Sequence, residues 1–277
     1  MRVVDMHCDT IAALYQDHRA GGTVSVLENN LMLDLKKMQA GDYGLQNFAL
    51  FTNLASIDEP PFEYCMKLLD TFYTELEAHR DLIGIVRSYA DIEENLRQGK
   101  MSALLAIEEG GVCQGELSFL RNFYRLGVRM MTLTWNHPNE LAFPNGRKAL
   151  EGGHYQAVPD TEHGLTETGI AFVEEMERLG MIIDVAHLND AGIRDVFLHT
   201  KKPFVASHSN ARAVCSHPRN LTDEMIRALS ERGGVMGINY YGGFLRDVPA
   251  GGEDVSRVAD MVAHMKHIRN VGGIQVI

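Results

Sequence analysis

Apolar residues along the chain fall into short consecutive runs, separated by turns and by stretches with helical spacing. The runs are Arg2-Val3-Val4, Leu45–Phe51, Ser102–Ile107, Val128–Thr134, Met181–Ala186, Pro203–Ala206, Gly234–Asn239 and a final start at Ile274–Ile277. Several are apolar at successive positions, as parallel strands covered on both faces are. Between them lie amphipathic segments. Ile170, Val173, Met176 and Leu179 make one stripe that Gly180 stops, and Val258, Met261, Met265 and Ile268 make another. This alternation predicts an α/β chain, a (β/α)8 TIM-like barrel rather than a doubly wound sheet, with residues 1–277 as a single domain. The loop-rich stretches Gly21–Asn30 and Pro138–His163 read as insertions at one end of that barrel.

Composition narrows the function. Among 277 residues, 26 Lys+Arg stand against 37 Asp+Glu, a formal net charge of −11. That balance argues against a nucleic-acid or anionic-membrane partner, which needs concentrated Lys and Arg. No run of about 18 apolar residues spans a membrane. The start Met1-Arg2-Val3-Val4-Asp5-Met6-His7 meets charge too early for a signal-peptide core. Cys8, Cys65, Cys113 and Cys215 have no paired spacing, which suits reduced thiols and a cytoplasmic location.

The polar residues with chemistry cluster where the apolar runs end. The first run closes with Asp5-Met6-His7-Cys8-Asp9, and in extended backbone His7 and Asp9 face one side. An imidazole and a carboxylate so placed are half of a site for Zn²⁺ or a similar metal. Taken alone, they fit equally well a buried strand-end histidine and a capping aspartate. Another run ends in Glu108-Glu109-Gly110-Gly111, a third in Asp184-Val185-Ala186-His187, a fourth in Ser207-His208-Ser209. Each alone is better explained as a polar turn or a structural histidine. Together, His7, Asp9, Glu108, His187 and His208 all sit at C-terminal ends of predicted parallel strands, where barrel enzymes assemble their sites. That coincidence favours a metal centre, with enough ligands for two ions if Glu108 bridges them.

These motifs, with Leu-Thr-Leu-Thr at 131–134 (here Met131-Thr132-Leu133-Thr134) and Arg219-Asn220, make the chain resemble the membrane (renal-type) dipeptidases, the M19 metallopeptidases, and within them a bacterial cytosolic member. The resemblance runs in order from about residue 3 to the end. It implies a metallo-dependent barrel with two Zn²⁺ ions in which a metal-bridging hydroxide attacks the scissile carbonyl of a dipeptide. Carried over by position, His7 and Asp9 match the first metal's ligands, His187 and His208 the second's, and Glu108 the bridge. Ungapped counting from Gly127-Val128-Arg129 and from Gly99-Lys100 selects Glu108, whereas aligning the Gly-Gly pair would select Glu109. Arg219 matches the arginine that grips the substrate's carboxylate, beside Asn220, and guanidinium suits that task through two parallel hydrogen bonds. The resemblance also implies a homodimer.

Two positions depart from the family pattern. The usual substrate-contacting histidine after the threonine motif is replaced by Trp135, followed by Asn136 and His137, so Trp135 is expected to shape the pocket while Asn136 or His137 supplies a donor. The family's last-strand aspartate has no counterpart before Ile277, so the last strand and its C-terminal helix are expected to be incomplete in this chain. Other readings are a metal hydrolase of another substrate class, as in amidohydrolase-like barrels, and a barrel that binds peptide or metal without turnover. His264 and His267 share a helix face and are expected to be solvated, and Cys8 is expected in the core.

Overall fold

The computed structural model describes residues 2–149, 155–247 and 254–277. The chain divides into two compact units, Met1–Met131 and Thr132–Ile277.

The first unit is built on parallel strands β1 (Val3–Asp5), β2 (Tyr43–Phe51), β3 (Ile83–Val86) and β4 (Met101–Glu108). β2 pairs with both β1 and β4, and β3 lies along the first half of β4. The register sets Phe51 beside Glu108, so both strands end together. β2 and β4 are buried along nearly their whole length, which is why their sequences lack a polar alternation. Helices α1 (Thr10–Arg19), α2 (Leu35–Ala40), α3 (Pro61–Glu77), α4 (Tyr89–Arg97) and α5 (Leu117–Arg125) surround them. α1 and α3 pack on β2 and on each other. Their contact buries Ile11, Leu14, Leu68 and Phe72 completely, with the Phe72 ring edge-on to Phe48 at 6.0 Å. α4 starts at a capping box in which Ser88 and Asp91 satisfy each other's backbone N–H groups. β5 (Met130–Thr132) lies where the chain passes from one unit to the next.

In the second unit β8 (Ile182–Asp184), β9 (Val205–Ala206) and β10 (Val235–Met236) run parallel, with β9 in the middle. The helices are α6 (Glu167–Leu179), α7 (Asp190–His199), α8 (Asp223–Glu231), α9 (Gly242–Leu245) and α10 (Val258–Gly272). α6 is the expected helix: Thr166 caps it through Gly169 N–H at 2.9 Å, and Gly180 ends it at φ 80°. Gly169 is required there, because a Cβ would lie 2.0 Å from the Leu141 carbonyl oxygen.

Three expectations change. The stretch 138–163 is not all loop, for β6 (Gly146–Ala149) and β7 (Tyr155–Val158) pair as an antiparallel ribbon; residues 150–154 lie outside the described residues. Strand β3 gave no apolar run long enough to notice, since Gly84 interrupts it. Ile274–Ile277 is not the start of a strand. Gly273 (φ 87°) ends α10, and a 3-10 turn over Ile274–Val276 follows, burying Val276 against β10 and α8. Among the described residues no helix is long and apolar enough to cross a membrane.

Candidate functional site

In the first unit, β1 stops at Asp5, whose carboxylate accepts the His7 N–H at 3.1 Å. Residues 6–9 thus lie beyond the strand rather than in the extended segment expected, yet His7 and Asp9 still meet. Asp9 occupies the N-cap position of α1 but makes no capping hydrogen bond. Its Oδ1 lies instead 3.2 Å from His7 Nε2, and Glu108 Oε2 lies 3.3 Å from the same nitrogen. Asn47 Nδ2 donates to the Met6 carbonyl (2.8 Å), and Ala49 N–H donates to the Cys8 carbonyl (3.0 Å), so β2 fixes this segment. Cys8, expected in the core, is only half-buried, and desolvation pushes its thiol up to about 12.

Glu108 and Glu109 part company at the strand end. Glu108 is buried and turned to His7. Glu109 adopts φ 98°, a left-handed conformation that strains a non-glycine residue, and its Oε1 accepts the Gly111 N–H at 2.9 Å. Its carboxylate thus caps the 3-10 turn Gly110–Cys113.

In the second unit, His187 follows β8 at φ 68° and His208 follows β9. Their Nε2 atoms lie 3.0 Å apart. His187 Nδ1 is 3.1 Å from Asn136 Oδ1, an acceptor, which places the proton on Nδ1. His208 Nδ1 is 2.7 Å from Ser207 Oγ, and that hydroxyl donates to Asp184 Oδ2 at 2.5 Å. With its own proton committed, Ser207 accepts from His208 Nδ1. Both rings then turn an Nε2 lone pair toward the other, an arrangement that a shared cation makes favourable.

Asp184 anchors this chain. Fully buried, it accepts four hydrogen bonds: Thr132 Oγ1 (2.8 Å), Ser207 Oγ, and the N–H groups of Ala186 (3.0 Å) and Ser207 (2.9 Å). The sequence carries a signal for it, an aspartate closing an apolar strand three residues before a histidine. Asn136 is likewise set against a histidine ring. Trp135 is half-buried with its ring 6.0 Å from His187 and 5.9 Å from His137. The His137 carbonyl accepts from Thr134 Oγ1 at 2.7 Å.

Arg219 is buried, with Nη2 donating to the His208 carbonyl (3.3 Å) and its guanidinium 5.5 Å from the Phe244 ring. Asn220 is fully buried and spends its amide N–H groups on the carbonyls of Cys215 (3.0 Å) and Phe244 (2.9 Å). The loop carrying both is closed by Arg212, which reaches Asp190 at the start of α7 through two 2.7 Å bonds and also the carbonyls of Asn220 and Pro218. His217 lies beside these arginines; burial foremost, then Arg219 and Arg212, pull it down to about 4. His264 is not solvated as expected but fully buried. Its Nδ1 accepts the Ala211 N–H (3.0 Å) and its Nε2 donates to the Leu245 carbonyl (2.9 Å), while His267 pairs with Asp223 at 2.7 Å.

Nitrogen and oxygen donors of this kind are the ones zinc takes. The first unit brings His7, Asp9 and Glu108 together, and the second brings His187 and His208 together.

Comparison with known proteins extends this picture. A family model described as membrane dipeptidase (peptidase family M19) matches residues 1–277. An uncharacterized protein of Klebsiella pneumoniae, from the pqqA 5′ region, is 39% identical over 213 residues, covering 74% of this chain and 76% of that protein. The dipeptidase aclJ of Aspergillus oryzae is 32% identical over 251 residues, covering 87% of this chain. An uncharacterized dipeptidase of Schizosaccharomyces pombe is 31% identical over 255 residues, again 87% of this chain. The chain spans only 58% of the S. pombe protein and 56% of the A. oryzae one. Among solved structures, a metallopeptidase from Rhodobacter sphaeroides, liganded with a phosphinate mimic of the dipeptide L-Ala-D-Ala, matches with a TM-score of 0.84. It is 26% identical, and the match covers 99% of this chain and 83% of that one. A structure described as dipeptidase AC, a family M19 metallopeptidase, gives a TM-score of 0.86 at 26% identity, covering 99% of this chain and 82% of that one. The fold class is thus the α/β, TIM-like barrel type expected from the sequence.

Proposed function

Since the chain belongs to the membrane dipeptidase family, the M19 metallopeptidases, we propose that residues 1–277 act as one catalytic domain hydrolysing the peptide bond of dipeptides with zinc. The ligands would be His7, Asp9 and Glu108 of the first unit and His187 and His208 of the second, with Glu108 common to two ions. Zinc so held supplies Lewis acidity toward the scissile carbonyl and a water acidic enough to be a nucleophile near neutral pH.

The rest of the work falls to the protein's own groups. Asp184, through Ser207, keeps the proton on His208 Nδ1, and Asn136 does the same for His187, so both Nε2 atoms remain donors of electron pairs. Arg219, steadied by the His208 carbonyl and the Phe244 ring, is the group that would take the substrate's free carboxylate, and Asn220 holds its loop. Trp135 and His137 would line the pocket on the His187 side.

The observation carrying this proposal is the His187–His208 pair, two rings whose outer nitrogens are both fixed as donors and whose inner ones converge. The test is metal analysis together with hydrolysis of glycyl and alanyl dipeptides, with and without a chelator. About two zinc ions per chain and chelator-sensitive cleavage are expected. Less than one ion, with no activity after zinc is restored, overturns the proposal. A zinc-replete protein that binds dipeptide without cleaving it points to a non-catalytic relative. Sedimentation of the same sample reads the homodimer that the resemblance implies, and fractionation of expressing cells the cytoplasmic location.

A further inference from the structure

The first unit holds a pocket of about 600 Å³, within the range of small-molecule sites, that begins at Asp9 and runs outward along α1. One helix face forms its floor, because Asp9, Ala12, Ala13, Gln16 and Arg19 recur at helical spacing. Two alanines in succession on that floor leave the space open. Ile57, Phe51 and Tyr64 add apolar lining, and the Tyr64 hydroxyl accepts Gln16 Nε2 at 2.8 Å. Polar groups gather at the outer end. Arg19 Nη2 faces Asp58 at 3.4 and 3.5 Å and its Nη1 lies 3.7 Å from Glu59; these are long contacts, and with Asp58 75% exposed that carboxylate can turn to a ligand at little cost.

We propose that this pocket receives one side chain of the dipeptide. It selects a large side chain with an apolar stem and a hydrogen-bonding end, such as that of tyrosine, glutamine or lysine, over glycine or alanine. Ala12 and Ala13 set the size limit, and the Arg19–Asp58 pair meets the polar end. The inference rests on the dipeptidase proposal, since it is Asp9, a ligand there, that joins the pocket to the reacting bond.

The test measures kcat/KM for the zinc-loaded protein on Gly-Gly, Ala-Gly, Tyr-Gly, Gln-Gly and Lys-Gly and on the reversed series. The wild type should favour the large residues in one of the two series. In Ala13→Phe, which fills the floor, the ratio of Tyr-Gly or Gly-Tyr to Gly-Gly should fall at least about tenfold. Ile57→Ala, which widens the pocket from a loop, should move that ratio the other way and guards against a folding defect in the first variant. If Gly-Gly is cleaved but neither variant moves the ratio in either series, this inference fails alone. If the folded, zinc-loaded wild type cleaves nothing, the dipeptidase proposal fails and the inference falls with it.

Discussion

His187 and His208 face one another through their Nε2 atoms at 3.0 Å, and each ring is held by a hydrogen bond at its other nitrogen. Two neutral imidazoles cannot share a hydrogen bond in that state, because neither inner nitrogen carries a proton to give. On the metal-site proposal this geometry suits a positive charge, and a bound cation would return the energy of holding the two lone pairs together.

Metal removal should consequently destabilise the protein. A ligand at about 100 times its Kd adds about 2.7 kcal/mol to folding stability, which for a chain of this size is a rise in Tm of roughly 5–10 °C. Differential scanning calorimetry before and after chelation, then after adding zinc, measures it. An unchanged Tm would contradict the pre-organisation.

Replacing Asp184 by Asn should weaken the metal without touching a ligand. An amide nitrogen in place of one oxygen would oppose a donor, and freeing the Ser207 hydroxyl lets it donate to His208 Nδ1. The ring proton then moves to Nε2 and the lone pair there is lost. A loss of about 10–100-fold in zinc affinity is expected, read by competition with a chromogenic chelator. Thr132→Val, which removes one of the four donors and leaves the relay intact, should cost only about 1 kcal/mol of stability.

Adjacent glutamates give a sharp contrast. Glu108→Gln should lose zinc, because a neutral amide is a poor ligand beside His7 Nε2. Glu109→Gln should keep it, since that side chain faces the Gly111 N–H. Glu109→Gly would relieve a backbone strain of about 1–3 kcal/mol at φ 98° while losing a cap of comparable worth. Its Tm should stay near the wild type's.

Acid should loosen the second unit before the carboxylates titrate. His217 is held down at about 4, and burial also holds His264 below the ordinary histidine value. In the unfolded chain both would take up protons near pH 6.5. As pH falls below that value the unfolded state binds more protons than the folded one, so stability falls, by at most about 1.4 kcal/mol per pH unit for each group. For His264 the physical cost is plain: a proton on Nδ1 would oppose the Ala211 N–H it now accepts. The decline in Tm between pH 6.5 and 4 should be shallower in His264→Asn and in His217→Gln than in the wild type. Parallel profiles would show that these rings are not its source. Asp34, Asp160 and Asp247, all lowered, add their losses only at still lower pH.

The strand ends were legible because parallel strands buried on both faces leave little but apolar residues, so a His or Glu at the end stands out. Glu108 could be singled out from Glu109 by counting from both sides, and the structure turns Glu108 to His7. Side-chain support was not legible. Asp184 reaches its partners on Thr132 and Ser207 from other strands, and no local spacing encodes that. His264 departs from the pattern because the apolar spacing on α10 points to a face that includes Val258, which is 74% exposed, while the helix buries His264 beside Ile268. A polar side chain with both nitrogens satisfied is as good a core residue as a methionine, and periodicity cannot announce it. The ribbon of β6 and β7 escaped for a different reason. Gly146-Arg147-Lys148-Ala149 is an exposed strand held by its partner's backbone rather than by burial.

Arg212 and Asp190, finally, bind the loop of Arg219 to the first turn of α7 as two halves of one fastening. The pair is partly buried, so losing either half should cost somewhat less than the about 3–5 kcal/mol of a fully buried one, still enough to couple the two positions. A descendant of this chain that took up a different loop at 212–220 would have to inherit the matching turn of α7 in the same step. The two segments, 22 residues apart in the chain, should travel through evolution as a single exchangeable cassette.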